Sequence, residues 1–260
     1  MQSLANTVLA LTLAHLCADF PLQSDALVRA KKNGFPGFAI HATVHYLSAL
    51  AALLAFTRDP VWALYPQSLL ILYVTLHILL DYLKVRYLKS RGQSDSTGPF
   101  VVDQALHLIM VFALSLALLH IWPSQLPLTG VWTEQRKHVV LLLAVTYVAI
   151  IFAGGYLVRS LTRSLTVKME PPAGESPKAL RDAGLYIGWL ERFLVLTALL
   201  VQSPAMIGLI LTGKSIARLS ELKGAQFAEY FLIGTLLSVS LALSGGVFLQ
   251  LMLYGTIFPK

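Results

Sequence analysis

At 260 residues the chain is long enough for one or two domains, yet 56% of it is hydrophobic and only 13% is charged, about half the charge of a typical soluble protein. That composition excludes a soluble enzyme, and it excludes nucleic acid as the partner behind the formal net charge of +7. It predicts an all-α polytopic transmembrane helical bundle.

Apolar segments run over residues 3–20, 37–57, 61–83, 98–121, 138–158, 183–201, 204–213 and 226–255. Most are long enough to cross a hydrocarbon core, which takes roughly 20 helical residues, so about eight spans are expected. The seventh is short, with Lys214 directly after Gly213, which leaves seven as the alternative count. The first segment lacks a basic leader and "LAHLCAD" is a poor cleavage site, so it is expected to be a retained helix. It holds the single cysteine, Cys17, which excludes an intramolecular disulfide and any cysteine-based metal site. Pro21 ends this helix, and "DFPLQSD" then turns into a short amphipathic segment ending "RAKKN". That segment reads either as a substrate lip or as an interfacial anchor with Arg29, Lys31 and Lys32 reaching toward water.

The longest polar stretch, "RSLTRSLTVKMEPPAGESPKALRDAG", carries Pro171, Pro172, Gly174 and Pro177 and predicts a cytoplasmic linker at about 159–183. Two halves are expected, a four-helix transmembrane bundle over 1–125 and a second helical half over 126–260. No phosphate-cradling glycine loop is present, so any chemistry takes place among the helices.

The basic residues report orientation. With eight spans, fifteen of the twenty Lys and Arg residues fall in one set of alternate loops, Arg29 to Lys32, Lys84 to Arg91, Arg159 to Arg181 and Lys214 to Lys223. The positive-inside rule makes those loops cytoplasmic and both termini extracytoplasmic.

Each of the first four spans carries one polar pair at a spacing of four: "HLCAD" (His15, Asp19), "HATVH" (His41, His45), "HILLD" (His77, Asp81) and "DQALH" (Asp103, His107). A spacing of four puts both members on one helix face. An ionisable group in a span costs on the order of 2–3 kcal/mol or more and faces a bundle interior or cavity, so eight of them need a common reason. The pairs lie near the ends of helices one and three and near the starts of helices two and four, which in an up-down bundle is the same, cytoplasmic side. Five imidazoles and three carboxylates at one level resemble the core sites of di-iron or di-manganese bundles. Imidazole with carboxylate suits zinc, with manganese or iron as alternatives. The candidate metal ligands are therefore His15, Asp19, His41, His45, His77, Asp81, Asp103 and His107, with one of the aspartates 19, 81 and 103 as the catalytic base. The competing reading is a hydrogen-bonded His–Asp scaffold joining the helices.

Gln23 and Lys84 stand near the mouth as candidate substrate-binding residues. In the second half, Glu191 and Arg192 sit inside the sixth span, where adjacent positions cannot share a face and must seek different partners. Lys214 and Arg218 share a face and are candidates to clamp a phosphate or carboxylate headgroup, with Glu229 nearby; an ion pair to Glu191 or Glu229 is the alternative. Trp189 reads as an interface residue, and Gly245 and Gly246 as packing positions.

The segments "HLCADFPLQ", "HATVHY", "HILLDYLK", "DQALH", "IGWLER", "TGKSIAR" and "AEYFLIGTLLS" resemble the bacterial polytopic membrane proteins grouped as domain of unknown function 3307, over nearly the whole chain and most specifically in the histidine-aspartate half. The resemblance implies a bacterial inner-membrane location and brings no activity or substrate. At motif level alone the pairs are similar to those of membrane-embedded zinc-dependent hydrolases acting on lipids.

The function expected is a membrane-embedded metal-dependent hydrolase with a cytoplasm-facing dinuclear His/Asp site, acting on a lipid-derived or phosphorylated substrate among membrane lipids. One alternative is a divalent metal-ion transporter, although transport sites lie near the midplane at broken helices and these pairs lie near one face. Another is a di-iron oxygen-activating enzyme, whose typical motifs carry adjacent or more numerous histidines. A bis-histidine haem site leaves three aspartates unexplained. No pattern in the sequence fixes the oligomeric state.

Overall fold

The computed structural model describes residues 2–56, 64–92, 97–121, 133–166 and 177–256. Among these residues every regular element is helical: α1 (Gln2–Asp19), α2 (Asp25–Asn33), α3 (Phe35–Phe56), α4 (Leu64–Ser90), α5 (Thr97–Ile121), α6 (Glu134–Val148), a π-helical turn (Ala149–Ala153), α7 (Gly154–Thr166), α8 (Pro177–Leu200), α9 (Ala205–Ala217), a 3-10 turn (Glu221–Lys223) and α10 (Ala225–Tyr254). Each of the eight apolar segments falls on a helix. Among the described residues, five stretches are long and apolar enough to cross a membrane: α3, α4, Thr97–Leu119, Gln135–Arg163 and α10. Leu4–Asp19 and Ala205–Ala217 are apolar but shorter.

The expected linker is narrower than 159–183. Helix α7 runs on to Thr166 and α8 starts at Pro177, while residues 167–176 lie outside the described residues. The physical reason lies in the stretch itself: Val158, Leu161 and Leu165 recur at helical spacing, and proline is well tolerated at a first helical position, where the missing N–H has no partner to lose.

The chain divides into two compact units, Met1–Val145 and Thr146–Lys260. In the first, α1 packs on α3 and α5, α3 on α4, and α4 on α5, which closes a ring of four helices. Its apolar interior includes Leu11, Leu53, Leu70, Val111, Leu114 and Leu141, while Leu47, Leu54, Leu72, Ile109 and Phe112 are exposed on the outer faces. A bundle that is apolar both inside and out matches hydrocarbon as its surroundings.

Helix α2 is set by local chemistry. Ser24 caps it, its hydroxyl accepting from the Leu27 N–H at 3.3 Å, and Asp25 in the first turn with Lys31 and Lys32 in the last complements the helix dipole. Gly34, at φ 142°, ends it. Helix α2 packs against α3, where Gly37 permits backbone-to-backbone approach to Ala30 and Lys31.

In the second unit α10 packs on α7 and α8, and α8 on α9. Glu191 and Arg192 turn to different partners. The Arg192 guanidinium donates from Nε and Nη2 to the Ile151 carbonyl at 3.2 and 2.8 Å and from Nη1 to Ser238 Oγ at 3.1 Å. It thereby satisfies a carbonyl of the π-helical turn, where the regular hydrogen-bond ladder shifts. Gly155 and Gly188 make room for it, since a Cβ at those positions would lie 2.5 and 3.2 Å from its Nη atoms. Gly245 and Gly246 are packing positions, with Ile150 and Leu199 seated against them. Trp189 stacks edge-to-face on Phe152 and Tyr186, at centroid distances of 4.8 and 5.2 Å.

Candidate metal centre

The four helices of the first unit bring all four pairs together. His41, His77 and His107 are fully buried, His15 and His45 are 1% exposed, and Asp19, Asp81 and Asp103 are below 10%. The imidazoles form a contiguous array, with ring centroids 3.7 Å apart for His45 and His77, 4.1 Å for His77 and His107, and 5.0 Å for His15 and His107.

Asp19 is the hub. Its Oδ1 lies 2.9 Å from His45 Nε2, 3.2 Å from His41 Nε2 and 3.6 Å from His77 Nε2, and the His41 and His77 Nε2 atoms are 3.4 Å apart. A tetrahedral ion with bonds of about 2.0–2.2 Å needs its donors roughly 3.3–3.6 Å from one another. The four separations, 2.9–3.6 Å, lie close to that range, and all four donor atoms are within 4.8 Å of one another. The other oxygen, Oδ2, faces a different set, with His15 Nε2 at 3.6 Å and Gln104 Nε2 at 3.5 Å.

Three overlapping groups have ligand atoms within 4.8 Å of one another: Asp19, His41, His45 and His77; His15, Asp19 and His107; and His77, Asp81 and His107. These buried groups are able to hold a metal ion. Asp103 falls outside them and acts on its neighbours. Its backbone carbonyl is 2.8 Å from His107 Nδ1; a carbonyl only accepts, so Nδ1 carries the proton and Nε2 presents a lone pair. That lone pair has no hydrogen-bond partner, and neither do both ring nitrogens of His15 or Nδ1 of His41 and His77. Each orphaned buried polar atom costs about 1–3 kcal/mol. A purely hydrogen-bonded scaffold should satisfy these nitrogens, whereas a cation gives the lone pairs of His15 and His107 a partner.

Two lysines frame the cluster. Lys84 Nζ holds Asp103 Oδ2 at 2.8 Å, and Lys31 Nζ holds Asp81 Oδ2 at 2.7 Å, with Asp81 also 3.2 Å from His41 Nε2. Gln23 bonds the Asp19 backbone carbonyl at 2.6 Å. Lys31 and Gln104 belong to this site although sequence reasoning did not select them. The signal for Lys31 was its position four after Leu27, which places both on the buried face of α2, and for Gln104 its position three before His107.

The remaining predicted site residues, Lys214 and Arg218, lie in the second unit, and each is paired. Lys214 Nζ reaches Glu191 Oε2 at 2.5 Å and Thr235 Oγ1 at 2.9 Å, and Arg218 pairs with Glu221 at 2.6 Å. The Lys214–Glu191 contact is one of the two ion pairs the sequence offered as the alternative to a headgroup clamp. Glu229 is exposed near the start of α10.

No curated protein and no solved structure matches the chain. Residues 7–133, which carry all four pairs, match the family "Protein of unknown function (DUF3307)", a narrower span than the resemblance read from the sequence. The helical His/Asp segment is thus the part of the chain that matches that family.

Proposed function

We propose that the protein is a membrane-embedded metal-dependent hydrolase whose centre holds two divalent cations, zinc first and manganese or iron as alternatives, and opens to the cytoplasmic side of a bacterial inner membrane. The observation that carries this reading is Asp19, with one oxygen among three histidine nitrogens and the other facing His15, the arrangement of a carboxylate shared by two ions. His41, His45 and His77 would hold one ion with it, and His15 with His107 would hold the other. Asp81 stands at the edge of both through His77 and His107.

A pair of ions bound there would supply an acidified water and polarise a phosphoryl or carbonyl oxygen. In ester hydrolysis water adds as the ester bond to the alcohol breaks, and Asp103, which lies outside the donor groups, would take the proton from water and return it to the departing alcohol. Gln23, Gln104 and Lys84 position the substrate. The cytoplasmic opening is supported by the excess of Lys and Arg along α2 and the last turns of α4, where Lys31 and Lys84 lie.

The test is hydrolysis of phosphate-ester and carboxyl-ester lipids in detergent micelles by metal-reconstituted protein. Turnover is expected that chelator abolishes and that Asp103→Asn reduces by about 10²–10⁴-fold at unchanged metal content. Metal-loaded protein that turns over no such ester would overturn the hydrolase.

A further inference from the structure

Exposure along α4 sets a direction of approach. His77 is fully buried, Asp81 is 5% exposed and the Lys84 side chain is 23% exposed, so the histidines lie deepest and the lysine outermost. Lys31, 9% exposed, arrives from α2 with its ammonium on Asp81. Neither lysine nitrogen can bind a cation while protonated, and each is held by a buried carboxylate of the cluster, Lys31 by Asp81 and Lys84 by Asp103.

The charges then constrain what enters. Three carboxylates and two ammonium groups leave the cluster one negative charge from neutrality when the imidazoles are neutral, as ligation requires. One divalent cation reverses that sign, and a second adds to the surplus. Uncompensated charge is costly among buried side chains, so a loaded centre calls for an anion. A neutral ester carbonyl offers one acceptor and no charge. A phosphoryl group offers three peripheral oxygens and up to two negative charges, enough to meet cations and ammonium groups together, and lysine serves as a point charge toward phosphate.

Resting on the metal-centre reading above, we infer that Lys31 and Lys84 form an anion-recognition pair that makes the site selective for a phosphate monoester dianion over neutral esters. The chemistry is shared by a lipid phosphate headgroup and a soluble phosphate ester.

The experiment is isothermal titration of inorganic phosphate into detergent-solubilised protein whose metal content has been measured. Metal-loaded protein should bind phosphate at least tenfold more tightly than chelator-treated protein. Lys84→Met and Lys31→Met should each weaken binding about tenfold at unchanged metal content, while Lys84→Arg, which keeps the charge, should retain most of it. Parallel titrations with glycerol 3-phosphate and with phosphatidate in micelles separate the sources, since preference for either supports a phosphate monoester site and names its origin. Loaded protein that binds phosphate no better than the metal-free form, or equally well without both ammonium groups, overturns the inference and leaves the metal centre standing. Protein that takes up no metal overturns both.

Discussion

Asp19→Asn is expected to empty the metal centre, reducing bound divalent metal from stoichiometric to background while leaving the protein folded. Asp19 belongs to two of the three donor groups, as His77 and His107 do, and among the three carboxylates it alone does so, with its two oxygens facing different histidine sets. The amide keeps the shape of the side chain and removes its charge. Its nitrogen would also place two N–H donors among histidine nitrogens that present lone pairs. By contrast, Asp103→Asn should leave metal content nearly unchanged, because Asp103 lies outside the donor groups. Elemental mass spectrometry on the two variants, with circular dichroism to check helicity, separates these outcomes. Equal metal content in both would show that Asp19 is not the hub.

Gly37→Ala is expected to be strongly destabilising although it adds a single methyl. An ideal Cβ at that position runs into the backbone of Ala30 and Lys31, and backbone, unlike the end of a long side chain, cannot rotate away. The expected cost is about 3 kcal/mol, the upper end for overpacking, read as a lower thermal unfolding midpoint in detergent. Displacing α2 also draws Lys31 away from Asp81, so phosphate binding should fall with it. Gly98→Ala is the control: nothing lies within 4 Å of a Cβ there, and the substitution should be neutral or slightly stabilising. A Gly37→Ala protein as stable as the control would mean that α2 does not pack on α3 in this way.

The four pairs were legible because a spacing of four on an apolar helix is itself a geometric statement, and because charged groups in spans are too costly to be incidental. Their convergence followed from helix order alone. What the residues could not disclose was which carboxylate does what. Asp19, Asp81 and Asp103 read alike in sequence, and only the ring closed by α1, α3, α4 and α5 makes Asp19 central and leaves the Asp103 carboxylate outside the donor groups, paired with Lys84. Lys31 was hidden by its neighbours, since a basic cluster after an apolar helix resembles an interfacial anchor, and the difference lies in one face of a nine-residue helix. In the second unit, the separate partners of Glu191 and Arg192 followed from their adjacency, but the π-helical turn did not. One of its carbonyls is met by a guanidinium 41 residues away in sequence, a tertiary contact with no local signature.

The most direct test is elemental mass spectrometry of the wild-type protein purified in detergent without added metal and again after reconstitution with zinc, manganese or iron. At least one divalent ion per chain as purified and two after reconstitution is the predicted result. A chain that retains no ion under any of these conditions would contradict the metal centre and leave the buried histidines and aspartates as a polar scaffold.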